Sequence, residues 1–545
     1  MDKNNFIKPD RGSERTPDHI MLSICGDAKS TMCVTWRTST EVADGYILYA
    51  EEGSEDYQRL DAINEIFESD IDISYMHWAR LDGLKSGTRY KYSVGNDSHR
   101  SSEFCFETEP ENLEEFRFLL ITDQQRGEPL HRPNYEVEST LLKDAFSRFP
   151  DIRFILTAGD NCNNGENEIQ WNGMFSGLVG VIESVPYMMC TGNHDGRGER
   201  DYFSLTNKQS FYSDKCYFFD AQFANSYPLN GPDGLKGENY SFDYGNAHFV
   251  SIGVNYQDGP LGDWLFDDVS SSDKRWKIGA YHFPIYPVMP EGENSDSYPW
   301  LRRGIEEGRL DILINGHEHS FARTYPIKDD QMYDRPSQGT VHYIAGNSGR
   351  NIYHSNTRKI WHSCYYPLEE NIYLYVIGEV KRDTLRLTAY LEDGRIADEL
   401  VIDKQRDVIL PYACAPIFDK VKMSFKGLLP ELAAKGQFCE KKDGLWYCPF
   451  GTLAGAFGGE VIKEKGRISI DFYDKKAHFY EDSSVAMIDS GAYNLKGKVY
   501  RSNNQLYIPV DDAAEIFDMQ VIYAERNGLI DFENNKEKAS IKPNP

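Results

Sequence analysis

Five times between residues 116 and 319 a short apolar run of the kind that forms a buried strand ends on residues able to ligate a metal. They read Leu119-Leu-Ile-Thr-Asp123, Leu156-Thr-Ala-Gly-Asp160-Asn, Cys190-Thr-Gly-Asn193-His194-Asp195, Gly279-Ala-Tyr-His282 and Ile314-Asn-Gly-His317-Glu-His319. Continuous apolar strands alternating with helical stretches require a sheet covered on both faces, hence an α/β layered fold. Between the first two runs, Val137, Leu141, Ala145 and Phe149 recur every four residues with Leu142 and Phe146 beside them, an amphipathic crossover helix. Further strands are expected over 152–158, 185–191, 248–254, 276–281, 312–314 and 341–345, closing with a hairpin around 385–390 and 396–402.

The 545 residues exceed what a single hydrophobic core supports, and the texture changes on either side of this region. From residue 17 to 109 short alternating strands are punctuated by turn residues, as in a β-sandwich. Leu84-Lys-Ser-Gly-Thr-Arg-Tyr90-Lys-Tyr92 resembles the corner of a fibronectin type III domain, a resemblance that implies Trp36 as the core tryptophan and Tyr90 as the corner tyrosine. Beyond about 412, Tyr447, Pro449, Ala454, Phe457 and Val461 recur sixty residues later as Tyr507, Pro509, Ala514, Phe517 and Val521. Two copies of a strand, short helix and hairpin account for that spacing. The repeat resembles the small domain at the amino terminus of copper amine oxidases, which binds no copper and implies an interaction or packing module. The expected organisation is therefore multidomain: a tail over 1–16, a β-sandwich over 17–109, a central α/β layered β-sandwich flanked by helices over 115–403, and a small α+β repeat domain over 412–540.

In open α/β sheets, loops and helix starts beyond the carboxyl ends of the strands leave polar groups around a crevice. Here they supply Asp123, Asp160, Asn193, His282, His317 and His319, with His194 left over for acid–base work. Two carboxylates, an amide oxygen and three imidazoles suit two divalent ions sharing a bridging carboxylate. Each piece alone has a plainer reading. Gly159-Asp160 reads equally as a turn with a helix cap, Gly192-Asn193-His194-Asp195 as a loop, and an isolated His282 as a satisfied core histidine. Five such endings in one domain, each after an apolar strand, outweigh them.

The order Asp, Gly-Asp, Gly-Asn-His-Asp, His and Gly-His-x-His resembles the calcineurin-like metallophosphoesterases, and the preceding sandwich narrows this to the branch similar to purple acid phosphatases, over about residues 17–403. The resemblance implies that Asp123, Asp160 and His319 hold a first ion, that Asp160, Asn193, His282 and His317 hold a second, and that His194 is the catalytic histidine. Asp195 would orient His194 or cap a helix. Two positions depart from the pattern: Gln125 stands where the family has histidine, and Asn163 where the purple enzymes have tyrosine. Either could give an amide oxygen, a hard neutral donor better matched to Mg²⁺, Mn²⁺ or Ca²⁺ than to ferric iron, so no tyrosinate colour is expected. With ion identity open among Mn, Mg, Zn, Fe and Ca, the implied reaction is hydrolysis of a small phosphoester, a monoester before a diester, by a bridging hydroxide. Arg126, Arg197 and Arg200 near these loops could grip phosphate, although such arginines are commonly solvated. The thinned first site supports an alternative, a weakened phosphoesterase fold serving as a cell-surface binding or scaffold protein.

A formal charge of -27 repels nucleic-acid backbones, and no Lys/Arg-rich run reverses it, so no nucleic-acid polymer is expected as a partner. No run of about 18 apolar residues and no signal-peptide core occurs, which as written points to a cytoplasmic chain, or to a surface protein whose leader was removed. Ten cysteines without a Cys-x-x-Cys pair fit reduced core thiols.

Overall fold

The structure, a computed structural model, describes residues 12–126, 133–197, 216–254, 260–289, 298–349, 358–366, 373–411, 420–425, 438–489, 491–502, 504–524 and 529–534. The chain forms two compact units, one containing the sandwich and the α/β layers, the other the carboxyl-terminal repeat.

The first strands build two four-stranded sheets. One orders Asp18–Ser23, Met32–Ser39, Ile73–Leu81 and Ile63–Glu68, the other Gln58–Asp61, Tyr46–Glu51, Arg89–Gly95 and Phe104–Glu107. Their inward residues, Trp36, Val34, Ile47, Tyr92 and Phe106 among them, form one buried cluster. The Tyr90 hydroxyl accepts a hydrogen bond from the Lys85 amide at 2.9 Å, pinning the corner as the local sequence requires. The strands at 58–61 and 63–68 were not anticipated. They lie at sheet edges, and Ile63 and Ile66 are about 60% exposed (60% and 61%), so the in–out alternation that marks a strand is missing.

Two sheets make the α/β layers. In the first, Phe116–Ile121 pairs in parallel with Ile152–Thr157, which pairs in parallel with Tyr187–Met188, while Leu374–Val380, Thr384–Leu391, Ile396–Asp403 and Val408–Leu410 continue it antiparallel. In the second, Ala247–Ile252, Trp276–Tyr281, Ile312–Asn315 and Val341–Ala345 are parallel neighbours. Rings interlock between the sheets: Phe118 meets Phe249 at 5.4 Å and Phe154 meets Phe242 at 5.5 Å, both edge-on. Helix Glu136–Arg148 covers an outer face with Leu141, Leu142 and Ala145 buried. The strand expected over 185–191 is only two residues long. Beyond it the amides of Met189, Cys190 and Gly192 bond to the Tyr227 hydroxyl, Thr157 Oγ1 and Asp195 Oδ2, so side chains replace the ladder and free the chain to turn towards Asn193.

The sandwich is bonded to these layers by Leu22 N to Ile182 O at 2.9 Å and by the Tyr92 hydroxyl to Glu183 O at 2.7 Å. In the second unit each repeat presents a strand, short helix and strand pair: Leu445–Cys448, Phe450–Ala456, Glu460–Glu464 and Arg467–Phe472, then Gln505–Pro509, Val510–Ile516, Met519–Ala524 and Leu529–Asn534. Phe450 stacks on Phe517 at 4.9 Å, and the equivalent tyrosines Tyr447 and Tyr507 both lie against Tyr500. Among the described residues no helix is long and apolar enough to cross a membrane.

Candidate metal centre

The five strand ends meet at one edge of the paired sheets. Asp123 and Asp160 follow adjacent parallel strands, and the Asp123 amide bonds to Gly159 O while the Gln125 amide bonds to Asp160 O, tying the two loops together. Asp123, Asp160, His317 and His319 all hold left-handed backbone, with φ of 50°, 56°, 70° and 44°. Non-glycine residues adopt that region at a cost, and here it bends four side chains back over the sheet edge into one space. Two glycines permit the crowding. A Cβ on Gly159 would stand 2.5 Å from His282 Nδ1, and one on Gly192 would stand 2.2 Å from Asp160 Oδ1.

Donor atoms therefore converge. His282 Nδ1 donates to Ala158 O at 2.8 Å, which leaves Nε2 facing Asp160 Oδ2 at 3.2 Å and Asn193 Oδ1 at 3.1 Å. His317 Nδ1 is also 3.1 Å from Asn193 Oδ1, and its amide donates to Asp123 Oδ1 at 2.8 Å. One ligand atom each of Asp160, His282 and His317 lies within 4.8 Å of the others. His319 Nε2 stands 3.6 Å from Asp123 Oδ1 and 3.4 Å from Gln125 Nε2, which itself donates to Asp160 Oδ2 at 3.0 Å. Among the described residues no lysine or arginine bonds to Asp123, Asp160, His282 or His317.

Electrostatics records that concentration of lone pairs. Burial pushes the Asp123 carboxyl up, with the nearby Asp160 charge adding to the rise. Burial also opposes charge on Asp160, but the His282 and His194 rings outweigh it and hold its pKa below the usual range. For His282, burial is outweighed by Asp160 and Asp123, which lift the ring to about 9, while burial and His282 together drop His317 to about 3. The set fits cations well: buried oxygens and imidazole nitrogens face one another, and Gln125 Oε1 is buried with no hydrogen-bond partner among the described residues. Turning the Gln125 amide over would exchange its oxygen for the nitrogen now beside Asp160 and His319, a choice that hydrogen positions alone decide.

His194 is placed by its neighbours. Its amide donates to Asp160 Oδ1 at 2.9 Å, Nδ1 donates to Asn163 O at 2.8 Å, and Nε2 looks back at Asp160 Oδ2 from 3.9 Å. What Asn163 contributes by geometry is that carbonyl. Asp195, expected to orient His194 or cap a helix, does neither in the described residues. Its carboxylate accepts from the Asn161, Cys162 and Gly192 amides at 2.8–3.1 Å and from Asn161 Nδ2, stapling the Asp160 loop to the Asn193 loop. Of the arginines, Arg126 lies over the Tyr373 ring at 4.9 Å, Arg197 Nη1 approaches His194 Nδ1 at 3.4 Å, and Arg200 lies outside the described residues. Sequence reasoning missed Phe283, whose ring stands edge-on to His317 at 4.8 Å and walls the centre; its place directly after a strand-end histidine was the available signal.

Comparison with known proteins matches three segments of the chain to known families. Residues 17–108 match the family described as purple acid phosphatase, N-terminal domain, residues 116–321 calcineurin-like phosphoesterase, and residues 437–531 copper amine oxidase N-terminal domain. Purple acid phosphatase 22 of Arabidopsis thaliana is 24% identical over 63% of this chain and 74% of its own length. Probable inactive purple acid phosphatase 27 of the same plant is also 24% identical, over 52% of this chain and 50% of its own. The structure of a purple acid phosphatase from yellow lupin (Lupinus luteus) seeds superposes with a TM-score of 0.59 at 18% identity, covering 73% of this chain and 77% of that one, a likeness of fold.

Proposed function

Because this chain belongs to the purple-acid-phosphatase-like metallophosphoesterases, we propose that it hydrolyses small phosphomonoesters at a centre of two divalent ions. The observation that carries the reading is the convergence of Asp160, His282, His317 and Asn193 donor atoms on one another with no lysine or arginine between them among the described residues. Asp160, Asn193, His282 and His317 would hold one ion, and Asp123, Asp160 and His319 the other, with Gln125 as a supplementary amide donor and Asn163 an alternative to it. When bound, two divalent ions supply positive charge for the phosphoryl oxygens and acidify water enough to make a nucleophile near neutral pH.

The protein's own groups do the rest. The Nδ1–H to Asn163 bond presents His194 Nε2 to the centre, where the protonated ring can donate to the departing alkoxide. Burial lowers the His194 pKa against the opposing pull of the Asp160 carboxylate. Asp195 keeps the two ligand loops in register. Turnover of p-nitrophenyl phosphate with added Mn²⁺ tests the reading. The expected outcome is measurable hydrolysis that falls about 10²–10⁴-fold in His194→Ala, and equal rates in the two proteins would refute it.

A second reading, a weakened fold used for binding at a surface, is favoured by Gln125 at the first-ion site and by the relative named as probably inactive. Elemental analysis separates them: two ions per chain supports catalysis, one or none the scaffold. The carboxyl-terminal repeat is assigned no part in the chemistry and is read as an interaction module.

A further inference from the structure

At the end of the second sheet opposite the metal centre, a cavity of about 420 Å³ is lined by Lys274, Arg275, Lys277, Arg309, Lys328 and Lys404. Its volume lies within the range of small-molecule sites. Lys277 is the second residue of strand Trp276–Tyr281 and His282 follows the last, so about 16 Å of extended chain, at roughly 3.3 Å per residue, separates cavity from centre.

In a chain of net charge -27 such a cluster calls for compensation, and the acidic residues that line the same cavity, Glu306, Asp311 and Asp407, offset only part of it. The Glu306 carboxylate is taken by Arg302 and the Asp329 amide, and that of Asp407 by the amide and hydroxyl of Ser337. Asp311 accepts from Lys404 Nζ at 2.7 Å and from the Lys277 amide at 2.8 Å. Arg275 pairs with Asp383, and Lys274 with Asp243 at 3.6 Å. Among the described residues Lys277 Nζ meets a carbonyl, Val269 O at 2.6 Å, and no carboxylate, and Arg309 and Lys328 have no carboxylate partner. Burial, with Lys404 and Arg309 beside it, holds the Lys277 pKa below the ordinary lysine value, and burial with Arg275 does the same to Lys404. Lys277, Arg309 and Lys328 are thus gathered in a partly enclosed space with no carboxylate paired to them among the described residues.

We infer that this cavity binds a small phosphate-class oxyanion, with Arg309 and Lys328 as the uncommitted donors and Lys277 and Lys404 as the charged floor. A guanidinium beside ammonium groups offers a planar fork and point charges, the combination that phosphoryl oxygens accept well. The site does not depend on hydrolysis at the other end of the sheet.

Calorimetric titration of the full-length, metal-loaded chain with orthophosphate and with methylenediphosphonate, in about 0.15 M salt to screen loose association, tests the inference. The Arg309→Ala/Lys328→Ala protein is expected to bind one equivalent fewer than the unaltered chain, or to bind it at least about tenfold more weakly. Its p-nitrophenyl phosphate turnover should be unchanged, and Arg309→Lys/Lys328→Arg should retain the lost equivalent. Comparable affinity for the two probes would assign a single phosphoryl group, and tighter binding of the diphosphonate a diphosphate-type group. Identical stoichiometry and affinity in unaltered and alanine proteins would overturn the inference, as would equal loss in the charge-conserving variant with both variants folded by circular dichroism.

Discussion

His19 and His282 are both buried, and both face a carboxylate and side-chain amides, yet they sit in opposite kinds of environment. Around His19 a cation is already in place. Arg37 pairs with Glu168, bonds Asp18 through Nε and Nη2 at 2.9 and 2.8 Å and reaches Asn172 at 2.8 Å, while the His19 nitrogens meet Asn172 at 2.9 Å and Gln222 at 3.2 Å. Burial and the Arg37 charge lower His19 to about 4, so it stays neutral and stacks on Phe175 at 4.2 Å. Around His282 no lysine or arginine pairs with the carboxylates among the described residues, and Asp160 and Asp123 raise the ring to about 9. The same residue types thus make a closed structural cluster in one place and an open ligand set in the other. The difference is whether an arginine already pairs with the carboxylates.

Three experiments can break or sharpen that contrast. Arg37→Met should destabilise the protein most, by about 3–5 kcal/mol, because Glu168 would be left buried without its counter-charge. Denaturant unfolding measures this, bound metal should stay constant, and Arg37→Met/Glu168→Gln should recover much of the loss. At the open cluster, metal should do what Arg37 does at the closed one. Ion at a hundredfold excess over its dissociation constant should add about 2.7 kcal/mol, seen as a melting temperature that falls on chelation, and Asp160→Asn should abolish the dependence.

His248 is an intermediate case in which the histidine itself is the cation, bonded to Asp243 and Asp268 at 2.8 Å each. Burial resists its charge, but the two carboxylates prevail and raise it to about 9. A pKa raised on folding gives stability that is whole below the unfolded value of about 6.5 and vanishes as pH climbs through about 9. With Asp243 half-exposed, about 2 kcal/mol is expected. His248→Gln should therefore lower the melting temperature clearly at pH values below about 6.5 and hardly at all beyond about 10.

Local pattern in the chain was enough to show the sandwich strands from 18 to 39, as apolar runs between turns, the crossover helix over 136–148 and the double strand–helix–hairpin of the carboxyl-terminal unit, even though burial is continuous and not alternating along the first two strands. It was not enough for Glu168–Leu178, whose polar Gln170 and Asn172 are buried along with its apolar side chains, nor for the exposed edge strands. Where partners lie far off in the chain, local pattern carries no trace of the bonding, as at Met189–Gly192, where a tyrosine hydroxyl from residue 227 replaces a strand neighbour.

From the residues alone came the identity and order of the candidate ligands, since each stands at the end of an apolar strand and chain direction sends those ends to one edge of a parallel sheet. Tertiary structure alone decided the left-handed turns that swing Asp123, Asp160, His317 and His319 together, and the role of Asp195 as a staple between loops. It also gathered cations from 274–277, 309, 328 and 404 into one basic cavity on a strongly acidic chain. Covalent neighbours set backbone preference and burial pattern, whereas charges far apart in the chain acquire a field only once folding has brought them within a few ångströms.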